Sequence, residues 1–326
     1  MPPVCFDRNG SATSDMPRLG VLGTLVLDTI HRPAPADDVL TDWGGIAYSL
    51  AALEAVAPIG WNVFPFIKVG ADLRPEADAF LAGLERVESL DGVVTVAELN
   101  NRVDLFYSSK PRRCEKLTGG VPGWRWPELA GAVSTCDALI VNFIAGWEID
   151  LGTAGRLHTD FRGPVYADIH SLLLSVGPDG VRSLRPLPEW PAWRRCFDFV
   201  QMNEEELNTL AEADREPLDE ARESVLNGPE TLFVTRGAAG SRWFTSTADG
   251  VREGEVATEP VSAEEADPTG CGDVWGAACA SSLLAGESAA AAASRANRVA
   301  GLAATHRGTT GLAAALRSVA DSGGQR

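Results

Sequence analysis

The chain has 326 residues, 45% apolar and 22% charged, which excludes wholesale disorder and a coiled coil. Its 45 acidic against 28 basic residues give a formal charge of −17. So acidic a surface repels phosphate backbones and anionic lipid, and argues against nucleic-acid and membrane partners. A small anionic ligand stays open, because a nest of amides or a metal overrules net charge locally.

Residues 1–16 read as a loose polar tail with no secretory signal. Leu19 to Ile30 is an apolar run with Gly23 inside it, and predicts one buried first strand. Pro33 to Asp42 breaks the pattern, and Gly44-Gly45 opens a helix through about Ala57. Val63 to Val69 predicts a second strand, Pro75 to Arg86 a helix, and Val93 to Ala97 and Val103 to Ser108 further strands. Lys110 to Pro127, rich in Pro and Gly, reads as a loop.

Short apolar strands follow at Ala138 to Ile144, Val165 to Ile169, Phe197 to Gln201 and Leu232 to Thr235. Helices such as Glu204 to Ala213 and Leu218 to Leu226 fall between them, and Phe244 to Val256 reads as a hairpin. Two helices close the chain, Gly272 to Leu284 and Ser288 to Thr305. This alternation predicts an α/β fold: a mainly parallel sheet with helices on both faces. The longest uncharged stretch near the C-terminus, Val274 to Gly286, is 13 residues, too short to span a bilayer. The six cysteines form no C-x-x-C pair and read as thiols of a reducing cytoplasm. The four histidines show no metal-ligand spacing.

The sharpest segment is Asp267-Pro268-Thr269-Gly270-Cys271-Gly272-Asp273, followed at once by a helix. Two glycines flanking a small residue at a helix start let backbone amides converge on one spot, and the helix dipole adds positive charge. A carboxylate beside such an anion hole can take a proton from a hydroxyl while the amides hold the phosphoryl group it attacks. The plainer reading is a tight turn with Asp273 favoured by the helix N-terminus.

This segment resembles the second signature of the ribokinase (PfkB) family of carbohydrate kinases. Gly44-Gly45-Ile46-Ala47-Tyr48-Ser49 is similar to the family's first glycine pair and helix, and Val69-Gly70-Ala71-Asp72 to its Val-Gly-x-Asp turn. Asn203-Glu204-Glu205-Glu206 resembles its Asn-x-x-Glu motif, Thr235 to Gly240 its Thr-x-Gly-x-x-Gly nucleotide loop, and Ala296-Asn297 through Arg307-Gly308 its C-terminal nucleotide segment. The matches run in family order over most of the chain.

The resemblance implies an ATP-dependent kinase for a small sugar or nucleoside-like alcohol. Asp273 would be the base, and Gly270, Cys271 and Gly272 would supply the anion hole. Asp28, Gly44, Gly45, Ser49 and His170 would meet the substrate; Asn203, Glu206, Thr235, Gly237, Gly240 and Asn297 would meet the nucleotide. Glu206 would touch Mg2+ through water, and Asp267 and Thr269 would offer oxygens to K+. A ribokinase-like domain over 17–318 would carry a small β lid from about 30–43 and 92–120, with a tail at 319–326. A homodimer through the lid follows from the same resemblance.

Each assignment has a structural counterpart. Asn203 with Glu206 is also a capping box. Thr235 to Gly240 is also a hairpin turn, Asp28 a turn cap and His170 a structural histidine. Ser49 stands where the family usually has Asn, and Val141-Asn142-Phe143-Ile144 lacks the frequent Gln-x-Glu. Lys110, Arg112, Arg113 and Lys116 are a solvated loop or a grip on an anionic substrate. A catalytically inactive sugar- or nucleotide-binding protein on the same fold stays open. A dehydrogenase would need Gly-x-Gly-x-x-Gly after the first strand, and Gly20 to Gly23 does not supply it.

Overall fold

The computed structural model describes residues 16–32, 39–107, 114–211, 215–259 and 266–320. A nine-stranded sheet runs in the order Gly250–Val256, Ser241–Thr247, Thr231–Thr235, Phe199–Asn203, Val165–Asp168, Ala138–Asn142, Arg18–Leu22, Asn62–Gly70, Val93–Val96. The seven strands from Thr231–Thr235 onward are parallel, and the terminal hairpin is antiparallel. Both faces are covered, as apolar runs without clean alternation require.

Side chains still alternate between two cores. Leu19, Val21, Ala138 and Ile140 join one with the helices Ile46–Val56, Cys271–Leu284 and Ala289–Ala303. Leu22, Leu139 and Val141 join the other with Trp126–Val133, Leu151–Asp160 and Pro217–Leu226. The helix Cys271–Leu284 is buried from Val274 to Ser282, which explains its run of Gly, Ala, Cys and Ser.

The apolar run Leu19 to Ile30 is two strands in two sheets, not one. The chain leaves the large sheet at Gly23, where a Cβ would lie 2.8 Å from Ile46 Cδ1 and 3.1 Å from the Asn142 carbonyl oxygen. Leu25–His31 then enters a four-stranded sheet ordered Val39–Gly45, Leu25–His31, Arg102–Phe106, Cys114–Thr118. Its own small core is Val26, Ile30, Val103, Leu105, Leu117 and Ile144. Val39–Gly45 pairs as a strand in the segment read as a pattern break, and Cys114–Thr118 pairs within the segment read as a loop. Val93–Val96, expected near the lid, is the edge strand of the large sheet. A third terminal helix, Leu312–Ala320, follows the two expected. Of the basic run, Lys110, Arg112 and Arg113 lie outside the described residues, and Lys116 is exposed on the lid's edge strand. Among the described residues no helix is long and apolar enough to cross a membrane.

Beyond Asn142 the chain turns around one carboxylate. Buried Glu148 accepts the amides of Ile144 and Ala145 on Oε1 and of Gly146 on Oε2, and Thr24 Oγ1 donates to it at 3.0 Å. This amide nest is filled by the chain itself. Glu148→Ala would strand several buried donors, and is expected to lose about 3 kcal/mol in urea unfolding. Glu148→Gln, which keeps one acceptor oxygen, is expected to lose less; equal losses would contradict this account of the loop.

Candidate active site

The start of the helix Cys271–Leu284 is seated by its neighbours. Gly270, the N-cap, has φ 73°. A Cβ there would lie 2.2 Å from the Tyr48 ring. Glycine is therefore required twice, for left-handed backbone and for contact with an aromatic face. A Cβ on Gly272 would meet nothing nearer than Gln201 Nε2 at 3.9 Å, so this exposed turn leaves its backbone accessible.

Asp273, half-buried in the first turn, receives a hydrogen bond on Oδ1 from Asn142 Nδ2 at 2.7 Å. Asn142 also donates to Ser49 Oγ at 3.0 Å, and Ser49 in turn donates to the Asp273 carbonyl at 3.4 Å. Asn142 is buried, and its Oδ1 has no hydrogen-bond partner among the described residues. Ser49 is 1% exposed and faces Asn142 and the helix backbone, so it sits behind the carboxylate.

Four carboxylates gather around Tyr48. Its burial, then the charges of Asp28, Asp267, Asp42 and Asp273, push its phenol well above the ordinary tyrosine range. Asp28 and Asp42 stand directly opposite each other on adjacent strands of the small sheet. Gly44 exists for Asp28: a Cβ there would lie 1.9 Å from Asp28 Oδ2. Gly45, φ 58°, caps the helix that carries Tyr48 and Ser49. Asp42 reaches the C-terminal segment, accepting Thr309 N at 2.8 Å and Thr310 N at 3.2 Å. Asp267 accepts Thr269 N and Oγ1 on Oδ1 and the Arg32 guanidinium on Oδ2.

Asn142, Asp168, Asn203 and Thr235 terminate four adjacent parallel strands. Ligands of open α/β sheets bind at this carboxyl edge. Asn203 and Glu206 form a capping box, with Asn203 Oδ1 accepting Glu206 N at 2.9 Å and Glu206 Oε2 accepting Asn203 N at 2.7 Å. Glu206 Oε1 also pairs with His170 Nδ1 and accepts Asn203 Nδ2. Burial alone would lower the His170 pKa, but Glu206, Glu115 and Asp168 outweigh it and raise it to about 9. Burial, then the charges of Glu206 and Asp273, push the Asp168 carboxyl up to about 8 against the pull of His170.

Thr235 leads into a turn with Gly237 at φ 53° and Gly240 at φ 89°. Asn297 spends its capacity inside the protein: its Oδ1 accepts Ser241 Oγ and Trp275 Nε1, and its Nδ2 donates to the Val256 and Ala257 carbonyls. It therefore ties the helix Ala289–Ala303 to Trp275 and the hairpin.

Among the described residues no group of three His, Cys, Asp or Glu could hold a metal. Three donors already occupy Glu206. Sequence reading missed Gln201, which donates to both Asp168 Oδ2 and the Gly272 carbonyl, and it missed Arg32 and Tyr48. No local pattern marks any of the three.

Residues 174–315 match the pfkB family carbohydrate kinases. That match covers less than half of the chain, and over it the chain is similar to this family. No curated protein matches it by sequence. Among solved structures it is similar to a sulfate complex of a pyrophosphate-dependent kinase in the ribokinase family, at 17% identity and TM-score 0.74, covering 89% of this chain and 96% of that one. The ribokinase of Thermotoga maritima gives 17%, 0.69, 94% and 98% in the same order. Arabidopsis thaliana ribokinase, complexed with ribose and ATP, gives 20%, 0.66, 92% and 99%. At such identities the likeness is one of fold: a large, mostly parallel sheet with a small lid sheet, as in other ribokinase-like proteins.

Within this fold, His170 has a pH consequence. Its folded pKa of about 9 exceeds the ordinary 6.5, so the folded state holds the extra proton between those values. Its contribution to stability is complete below pH 6.5 and fades as pH rises towards 9. Asp168, raised to about 8, adds a decline in the same direction. His170→Gln is expected to flatten the fall of unfolding free energy across that window. An unchanged slope would contradict the pairing with Glu206.

Proposed function

We propose that this protein moves the γ-phosphoryl group of ATP to a hydroxyl of a small, neutral sugar or nucleoside-like alcohol. The observation that carries the reading is Asp273 held by Asn142 beside the helix start at Gly270 to Gly272. Asn142 orients the Asp273 carboxylate through Oδ1, and that carboxylate accepts the acceptor's proton. The acceptor oxygen forms the new bond to phosphorus, the bond to the leaving ADP oxygen breaks, and the amides at Gly270, Cys271 and Gly272 take the charge of the transferred group.

Asp28, an acceptor-only carboxylate in a glycine-lined corner, suits a polyol hydroxyl. The surrounding carboxylates disfavour an anionic acceptor. Thr235, Gly237 and Gly240 contact the nucleotide, and His170 with Asn203 and Glu206 faces its phosphates. Asn297 acts by holding the nucleotide-side helix in place. Magnesium, entering with the phosphates, would neutralise their charge, with Glu206 reaching it through water. The lid excludes water, which would otherwise compete as acceptor. The catalytic unit is taken as 17–318.

ADP release from Mg-ATP over a panel of neutral sugars, polyols, nucleosides and sugar acids tests the reading. Asp273→Asn is expected to lower turnover by about 10^3-fold while ATP binding persists. Neutral acceptors are expected to be used in preference to sugar acids. Turnover that survives Asp273→Asn, or tight ATP binding with no turnover on any acceptor, would contradict it.

A further inference from the structure

The loop that opens the anion hole already holds a cation. Asp267 is 5% exposed and lies four residues before Cys271, whose thiol donates to its carbonyl at 3.4 Å. Its Oδ1 accepts the Thr269 amide at 3.0 Å and the Thr269 hydroxyl at 2.7 Å. Its Oδ2 is bonded by Arg32, whose side chain is 11% exposed. Both carboxylate oxygens are thus engaged, one by a full positive charge. A monovalent cation on Asp267 and Thr269, the expectation from resemblance, does not fit beside that guanidinium.

Arg32 comes from far away in sequence, 235 residues from Asp267. It follows the lid strand Leu25–His31 directly. The neighbouring lid strand Arg102–Phe106 ends on the same loop, where the Tyr107 hydroxyl and Thr269 Oγ1 share a hydrogen bond of 2.8 Å. Both lid strands therefore converge on the turn that shapes the anion hole. A buried carboxylate without a counter-charge is costly, so this loop needs a cation to keep its shape.

We propose that Arg32 is that cation: a built-in substitute for a monovalent metal ion, delivered by the lid, which frees this protein from dependence on potassium. A guanidinium keeps its charge at every physiological pH, so the loop's counter-charge does not vary with pH or salt. The inference about turnover rests on the kinase reading; the inference about the loop does not.

The test compares wild type, Arg32→Gln and Arg32→Lys in potassium, sodium and tetramethylammonium chloride at matched ionic strength, reading unfolding temperature and ADP release. Wild type is expected to vary by less than about twofold in turnover across the salts, since only general screening differs. Arg32→Gln is expected to unfold about 5 °C lower and to regain at least about half of that in potassium alone. Arg32→Lys, a compact ammonium without the planar fork, covers the case in which Arg32→Gln does not fold: it is expected to gain a potassium stabilisation that wild type lacks. Wild-type turnover activated more than about tenfold by potassium overturns the proposal, as does a destabilised variant indifferent to potassium. The unfolding temperatures need no acceptor, so absence of turnover on every substrate would fail the kinase reading and leave this result standing.

Discussion

Everything at the candidate site depends on how the helix Cys271–Leu284 begins. Its N-cap lies on the face of Tyr48, and its first-turn carboxylate is held by Asn142 from the neighbouring sheet. The helix behind is buried on almost every side, so it cannot shift to compensate for a change at its start. A rigid helix with an exposed amide turn is a fixed electrostatic fitting, preorganised before any ligand arrives.

That fitting sits in an unusually acidic neighbourhood. Asp28, Asp42, Asp267 and Asp273 surround one phenol, and Asp168 and Glu206 lie along the adjoining strand ends. Three of these carboxylates are answered locally. Arg32 meets Asp267, backbone amides of the C-terminal segment meet Asp42, and protonated His170 meets Glu206. Two of these contacts, Arg32 with Asp267 and Asp42 with Thr309, also tie the small sheet to segments at the C-terminal end of the chain.

The α/β architecture was legible because buried strands and helices follow one another at readable spacing. The segment Asp267 to Asp273 was legible because its chemistry is local: glycines, a small residue and a carboxylate at a helix start. The run Leu19 to Ile30 was not divisible by pattern, since both halves are equally apolar and only the crowding at Gly23 against Ile46 and Asn142 separates them. Contacts such as Arg32 with Asp267 or Ser49 with Asn142 span 235 and 93 residues, where no periodicity reaches. Ser49 and Asn297 read as ligand contacts because their motifs carry such roles, yet here their polar atoms are engaged by the protein. His170 could be singled out as unusual, but its pairing with Glu206 needed the fold.

The most direct measurement is a crystal structure with magnesium, a non-hydrolysable ATP analogue and an accepted alcohol. The account predicts the terminal phosphate over the amides of Cys271 and Gly272, with one acceptor hydroxyl about 3 Å from the Asp273 carboxylate. A terminal phosphate bound away from that helix start, or an acceptor hydroxyl directed at another carboxylate, would contradict it.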